Sequence, residues 1–155
     1  MATHIPLINK LSAGESYAAN IADHDAEDRA TLAEGVRHPH TGRTLEPGIR
    51  TLAADKRISV GIEKVGERLK IAGDGKPRMF LVRDSLVEVD QSLKDAYKPT
   101  CTEQEFPGYV FPKTNEGKAV GEKPVKVDDH GVDDCRYMVM YLDGKRRGAR
   151  KYKYA

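Results

Sequence analysis

Apolar and polar positions along this chain change rhythm several times, and the changes predict many short elements rather than a few long ones. Residues 1–15 show no clear apolar period and read as a ragged entry segment. Tyr17 to Ala22 is a short, mildly apolar run that suits a strand ending at Asp23. Helix signals follow. Asp25 stands at an N-cap position, Asp28 lies in the first turn where negative charge suits the helix dipole, and Gly35 supplies a stop, which predicts a helix over Ala26–Glu34. His38, Pro39, His40, Gly42, Pro47 and Gly48 mark 36–48 as a loop, and Ile49 to Ala53 predicts a second short strand.

Further on, Ser59 is placed to cap a helix running to about Ile71, with Ile62, Val65 and Leu69 on one stripe, ended by Gly73 and Gly75. The run Arg78–Arg83 is the most strand-like in the chain, a continuous apolar stretch of the kind buried in parallel sheets. A polar helix from about Asp90 to Tyr97 is stopped by Pro99. Tyr109 to Phe111 predicts another strand, a Gly- and Lys-rich loop leads to Pro124, and a last helix spans about Asp129–Leu142. Strands alternating with helices predict an α/β architecture with a mainly parallel sheet.

Composition narrows the reading without naming a function. The chain has 155 residues, 39% apolar and 32% charged, which fits one ordinary globular domain with a real core. It contains no apolar run long enough to span a membrane, and Met1–Lys10 lacks the charged start and apolar centre of a secretory signal. Cys101 and Cys135 are too few for a disulfide framework and form no Cys-x-x-Cys pair, which fits a reducing cytoplasm and disfavours structural zinc. A net charge of +2 says little, but its distribution says more. Residues 144–155 form a basic tail with Lys145, Arg146, Arg147, Arg150, Lys151 and Lys153, plus Tyr152 and Tyr154. Such a tail reads either as a DNA-phosphate contact with stacking rings or as a solvated terminus. No G-x-x-x-x-G-K-[ST] loop and no serine nucleophile elbow is present, and Gly73-Asp74-Gly75 is a helix stop, which argues against an autonomous ATPase or serine hydrolase.

Two acidic constellations carry candidate chemistry. In the last helix, VDDHGVDDCRYMVMYLD, Asp129, His130 and Asp133 lie three and four positions apart and share a face. Val132, Cys135, Val139 and Leu142 fall on the roughly opposite face, so the pattern expects the acids to point away from the core. Clustered carboxylates repel one another unless a hard cation neutralises them. The same residues also read as an acidic first turn that complements the helix dipole. In the early segment, Asp23 sits where a strand ends and a helix begins, the usual ligand position in α/β folds, with Asp25 and Asp28 as caps. His24 reads as a metal-assisting or proton-donating group, or as a surface histidine.

The segments IADHDAEDRATL, ADKRISVGIEKVGERLKIAGDGKPRMFLVRDSLVEVD, KPTCTEQEFPGYVFP and PVKVDDHGVDDCRYMVMYLD resemble, in this order, the C-terminal half of phage terminase large subunits. The resemblance covers about Ala19 to Asp143, and its most specific word, DDHGVDDCRY, is similar to the family's D-H-x-x-D-A-L-R-Y, with Asp134-Cys135 in place of Ala-Leu. It implies an RNase H-like α/β domain over 16–143, a mixed or parallel sheet flanked by helices, that cuts concatemeric viral DNA during genome packaging. By position Asp23 matches the family's second metal-binding acid, and the third falls within Asp129-His130-x-x-Asp133, with Asp133 and His130 favoured and Asp129 the runner-up. Two ions, Mg2+ or Mn2+, are implied, roughly 4 Å apart, one activating water and the other stabilising the leaving oxygen.

The family's first acid-bearing strand has no counterpart between Met1 and Asn20, where Glu15 is the sole carboxylate, and the ATPase motor is missing. The resemblance therefore implies an incomplete domain: the downstream half of a split gene, a prophage remnant or a late start. The implied partners are double-stranded DNA, an N-terminal terminase fragment, the small terminase subunit and the portal, in the cytoplasm of an infected or lysogenic bacterium. The alternative is a non-catalytic fragment that binds DNA or a packaging partner.

Overall fold

A computed structural model describes residues 4–23, 25–114, 116, 120–121 and 123–144. The basic cluster Lys145–Lys153 and His24 lie outside the described residues. The chain is mixed α/β and divides into two compact units, 1–54 and 55–155.

The first unit opens with α1 (Ile5–Leu11), followed by β1 (Ile21–Ala22), α2 (Ala26–Glu34), β2 (Val36–Arg37), β3 (Thr44–Glu46) and β4 (Leu52–Ala53). Helix α1 forms within the expected ragged entry because Pro6 suits its first turn and Ile5 is fully buried. The Asn9 amide ties it to Glu46 (3.0 Å) and to the Pro47 carbonyl (3.2 Å). Helix α2 has the bounds its sequence signals predict. Asp25 caps it by accepting from the Glu27 and Asp28 amides, and Gly35 ends it at φ 75°. A side chain at Gly35 would strike the Glu46 carbonyl and the Gly48 amide, so glycine is required there twice over.

β1 and β4 pair in parallel, Ile21 opposite Leu52 and Ala22 opposite Ala53. The expected strands are thus present but only two residues long each. The segment 36–48, read as a loop, instead contains the antiparallel pair of β2 and β3, with a register shift at Val36/Arg37. Its turn closes where the His38 amide donates to the Arg43 carbonyl (2.8 Å) and the Gly42 amide to the His38 carbonyl (2.9 Å).

The second unit contains α3 (Ile58–Leu69), α4 (Gln91–Asp95), α5 (Thr102–Glu105), a 3-10 turn at Phe106–Gly108 and α6 (His130–Gly144). α3 packs along α6, and the core is Val65, Met79 and Val139 with Leu81, Phe106 and Cys135 partly buried against it. Full burial of Val139 alone is worth about 2 kcal/mol of apolar transfer. At the far end Asp143 of α6 receives Arg68 (2.6 Å) and Lys64 (3.8 Å) from α3.

The run Arg78–Arg83 is not a strand. The Arg78 amide donates to the Arg68 carbonyl (2.7 Å), which lays the segment back along α3. Alternation survives without a sheet: Met79 is buried and Leu81 half-buried, while Phe80 and Val82 are exposed. Tyr109–Phe111 likewise forms no strand, although Val110 accepts from the Val125 amide at 2.8 Å. No described helix is long and apolar enough to cross a membrane.

Candidate functional site

The acidic word of the last helix occupies the start of α6. The chain reaches it through Asp128, whose φ of 48° lies in the left-handed region and costs about 1 kcal/mol for a non-glycine residue. Lys98 holds the Asp128 carboxylate at 3.4 Å. Asp129 then enters the fold with only 8% of its surface exposed, and its carbonyl accepts the Asp133 amide (2.9 Å), which begins the helix. The carboxylate that satisfies the first turn comes from another element: Glu105 of α5 accepts from the Val132 amide at 2.9 Å.

Asp133 has a committed partner. Arg136, three positions on and 3% exposed, places Nη2 2.6 Å from Asp133 Oδ1, and the Tyr137 hydroxyl lies 3.4 Å from Oδ2. The guanidinium also stacks 5.0 Å over the Tyr137 ring. The Arg136 stem fits because residue 61 of α3 is glycine; a methyl there would collide with its Cγ and Cδ. Nε and Nη1 of Arg136 are buried and have no hydrogen-bond partner among the described residues.

Tyr109 completes the cluster. Burial raises its hydroxyl above the usual tyrosine range, Arg136 opposes this, and the charges of Asp133 and Asp129 add to it. The Arg136 field reaches Asp55 as well, whose carboxyl is lowered chiefly by its hydrogen bond from Arg57. No cation pairs with Asp129 among the described residues.

Against the expected orientation, this face of α6 turns inward. Asp129 and Arg136 are buried and Asp133 nearly so, while Leu142, assigned to the packed side, is 42% exposed. The reason is that α6 packs against both α3 and α5 rather than on one sheet, so more of its circumference is covered. His130 is exposed at the first position of α6, and Asp134 is exposed. Asp23 is an exposed residue directly after β1, in the first unit.

Arg136, Glu105 and Tyr109 were not singled out by the sequence pattern. Arg136 had a readable signal in its i, i+3 spacing from Asp133, but the distant Glu105 and Tyr109 had none. Among the described residues no three His, Cys, Asp or Glu side chains converge in a way that would hold a metal ion. Comparison with known protein families, curated proteins and solved structures returns no match.

Proposed function

We propose that this chain is the C-terminal nuclease portion of a phage terminase large subunit. Its work is cleavage of concatemeric double-stranded DNA with Mg2+ or Mn2+ in the cytoplasm of an infected or lysogenic bacterium. The RNase H-like assignment belongs to the same proposal. The observation that carries it is Asp129: a buried carboxylate at the start of α6, relieved of capping by Glu105 and paired with no cation among the described residues. Burying such a charge is costly and is sustained where a cation is to be met.

The described residues do not themselves fit a complete divalent-ion site. Asp133 is neutralised by Arg136, and no third ligand joins it. Further ligands must therefore come from outside this cluster. Asp23 is the carboxylate the resemblance assigns, and an N-terminal terminase fragment is the partner it implies.

A second reading is favoured by the Asp133–Arg136 pair itself, since a carboxylate locked to a buried guanidinium is a structural strut. On that reading the chain is a non-catalytic segment that binds DNA, the small subunit or the portal.

Plasmid nicking in Mn2+, alone and after mixing with the upstream chain, separates the two. Nuclease function expects cutting that Asp129→Asn and Asp23→Asn abolish, together with Mn2+-induced broadening of the Asp129 amide signal. Neither cutting nor broadening under either arrangement leaves only the non-catalytic reading.

A further inference from the structure

The geometry points to a phosphate-binding pocket in the first unit, formed by Arg29, Arg50 and Thr51. A cavity of about 360 Å3 lies between α2 and the approach to β4, lined by Ala26, Arg29, Ala30, Ala33, Arg50 and Thr51. Its walls are fixed by the fold. The Ile49 amide donates to the Leu32 carbonyl of α2 (2.8 Å), the Asn20 side chain to the Arg50 carbonyl (3.2 Å), and the Leu52 amide to the Asn20 carbonyl (2.8 Å).

The lining carries two cations and no anion. Neither Arg29 nor Arg50 forms an ion pair with a described residue. Asp25, one helical turn before Arg29, turns Oδ1 to the Glu27 and Asp28 amides and forms no ion pair with Arg29. Two further polar atoms of the lining residues are unmet among the described residues: Arg29 Nε and the Thr51 hydroxyl lie closed to solvent without a hydrogen-bond partner, and meet an anion only when their side chains turn toward the cavity. Polar atoms in that state are rare in folded proteins and point to a group that satisfies them.

The three alanines keep the helical wall short, so an anion can approach both guanidinium groups. Two guanidinium groups and a hydroxyl suit a phosphate, whose oxygens take paired Arg donors and a third, separate hydrogen bond. A carboxylate has fewer oxygens to share among them. The phosphate comes either from a DNA backbone, a source that rests on the function proposed above, or from a small phosphorylated molecule.

Titration of the full chain with inorganic phosphate, followed in 1H–15N spectra, tests the site. The Arg29, Arg50 and Thr51 signals are expected to move together and saturably. Arg29→Gln and Arg50→Gln should each weaken binding about tenfold or more, the size of a lost charge-assisted contact. Ala30→Leu fills the cavity while leaving both charges, and should weaken binding comparably; Arg43→Gln on the β2–β3 turn should leave it unchanged. A short DNA duplex that moves the same signals below the phosphate concentration identifies the backbone as the source, and one that leaves them still identifies a small phosphate. Shifts that never saturate, or that persist in Arg29→Gln, Arg50→Gln and Ala30→Leu alike, overturn the pocket. Metal-dependent cutting that responds to Asp129→Asn is read independently, so failure of the pocket and failure of the nuclease reading are told apart.

Discussion

Replacing Arg136 tests the packing of the whole second unit, because one side chain joins α3, α6 and the acidic cluster. Arg136→Met keeps an unbranched stem against Gly61 and removes the guanidinium. Asp133, 14% exposed at its side chain, then keeps only the 3.4 Å contact with Tyr137 among the partners described above. Orphaning a buried charge costs about 3–5 kcal/mol, and this partial exposure selects the lower end, about 3 kcal/mol. An opposing gain follows from the two buried N–H groups of Arg136 that have no partner, each worth about 1–3 kcal/mol when removed. Taken at the low end, about 1 kcal/mol each, the two removals offset about 2 kcal/mol and leave a net loss of about 1 kcal/mol.

The converse change, Asp133→Leu, has no such offset. It leaves a 3%-exposed guanidinium uncompensated and should cost about 4 kcal/mol. Removing both partners leaves neither penalty, so the double variant should lie within about 1 kcal/mol of the parent chain. The singles together, about 5 kcal/mol, exceed the double by about 4–6 kcal/mol, above the usual range for residues in contact. Urea unfolding at neutral pH, followed by far-ultraviolet circular dichroism since the chain has 0 tryptophans, measures all four corners of the cycle. Losses that add within about 0.5 kcal/mol would refute a coupled buried pair.

Two glycines of α3 should respond with opposite sign: Gly66→Ala meets no atom within 4 Å and should stabilise by up to about 1 kcal/mol from helix propensity, whereas Gly61→Ala drives a methyl into the Arg136 stem and should destabilise in the same urea assay. Glu105→Ala removes the acceptor of the Val132 amide and should cost about 1–2 kcal/mol, with faster amide exchange confined to the first turn of α6; unchanged exchange would contradict the capping role. Burial, followed by the charges of Asp134 and Glu105, raises the Cys135 thiol, so iodoacetamide should label it more slowly than a free thiol, with the deficit abolished in urea. The sign for stability follows from protons bound: the folded chain holds this proton to higher pH than the unfolded one, so its contribution is complete below the unfolded thiol pKa and is lost as pH rises through the raised folded value.

Local signals were legible in the sequence where one element contained its own punctuation. Asp25 and Gly35 delimit α2 because cap and stop act on the backbone next to them. The polar helix expected from about Asp90 to Tyr97 is α4, which ends earlier at Asp95, and Asp90 proves to be its cap, accepting from the Ser92 and Leu93 amides. For α3 the apolar stripe holds at Val65 and in part at Ile62 but not at Leu69, which is 40% exposed, and Arg57 rather than Ser59 precedes the first turn. Strands were the weak point. An apolar run such as Met79–Val82 predicts burial on both faces only if a sheet is there to receive it, and pairing is a property of distant partners. Here the run returns along a helix instead, and its outward residues Phe80 and Val82 stay 69% and 77% exposed.

The same dependence on distant partners separates the two acids that the proposed metal reading weighs at the start of α6. Spacing alone treats Asp129 and Asp133 as equivalent, since both fall on one helical face. Packing separates them. An ion at Asp133 would have to displace a guanidinium at 2.6 Å that is itself enclosed by Gly61 and the Tyr137 ring, and would leave that guanidinium buried and unpaired. An ion at Asp129 displaces no such partner, and it would offset a negative charge now felt by the half-buried Tyr109 hydroxyl. The carboxylate at which a cation costs least is therefore the one just before the helix, although the resemblance ranks it second. Arg136 acts on the site as the residue that holds Asp133 in place.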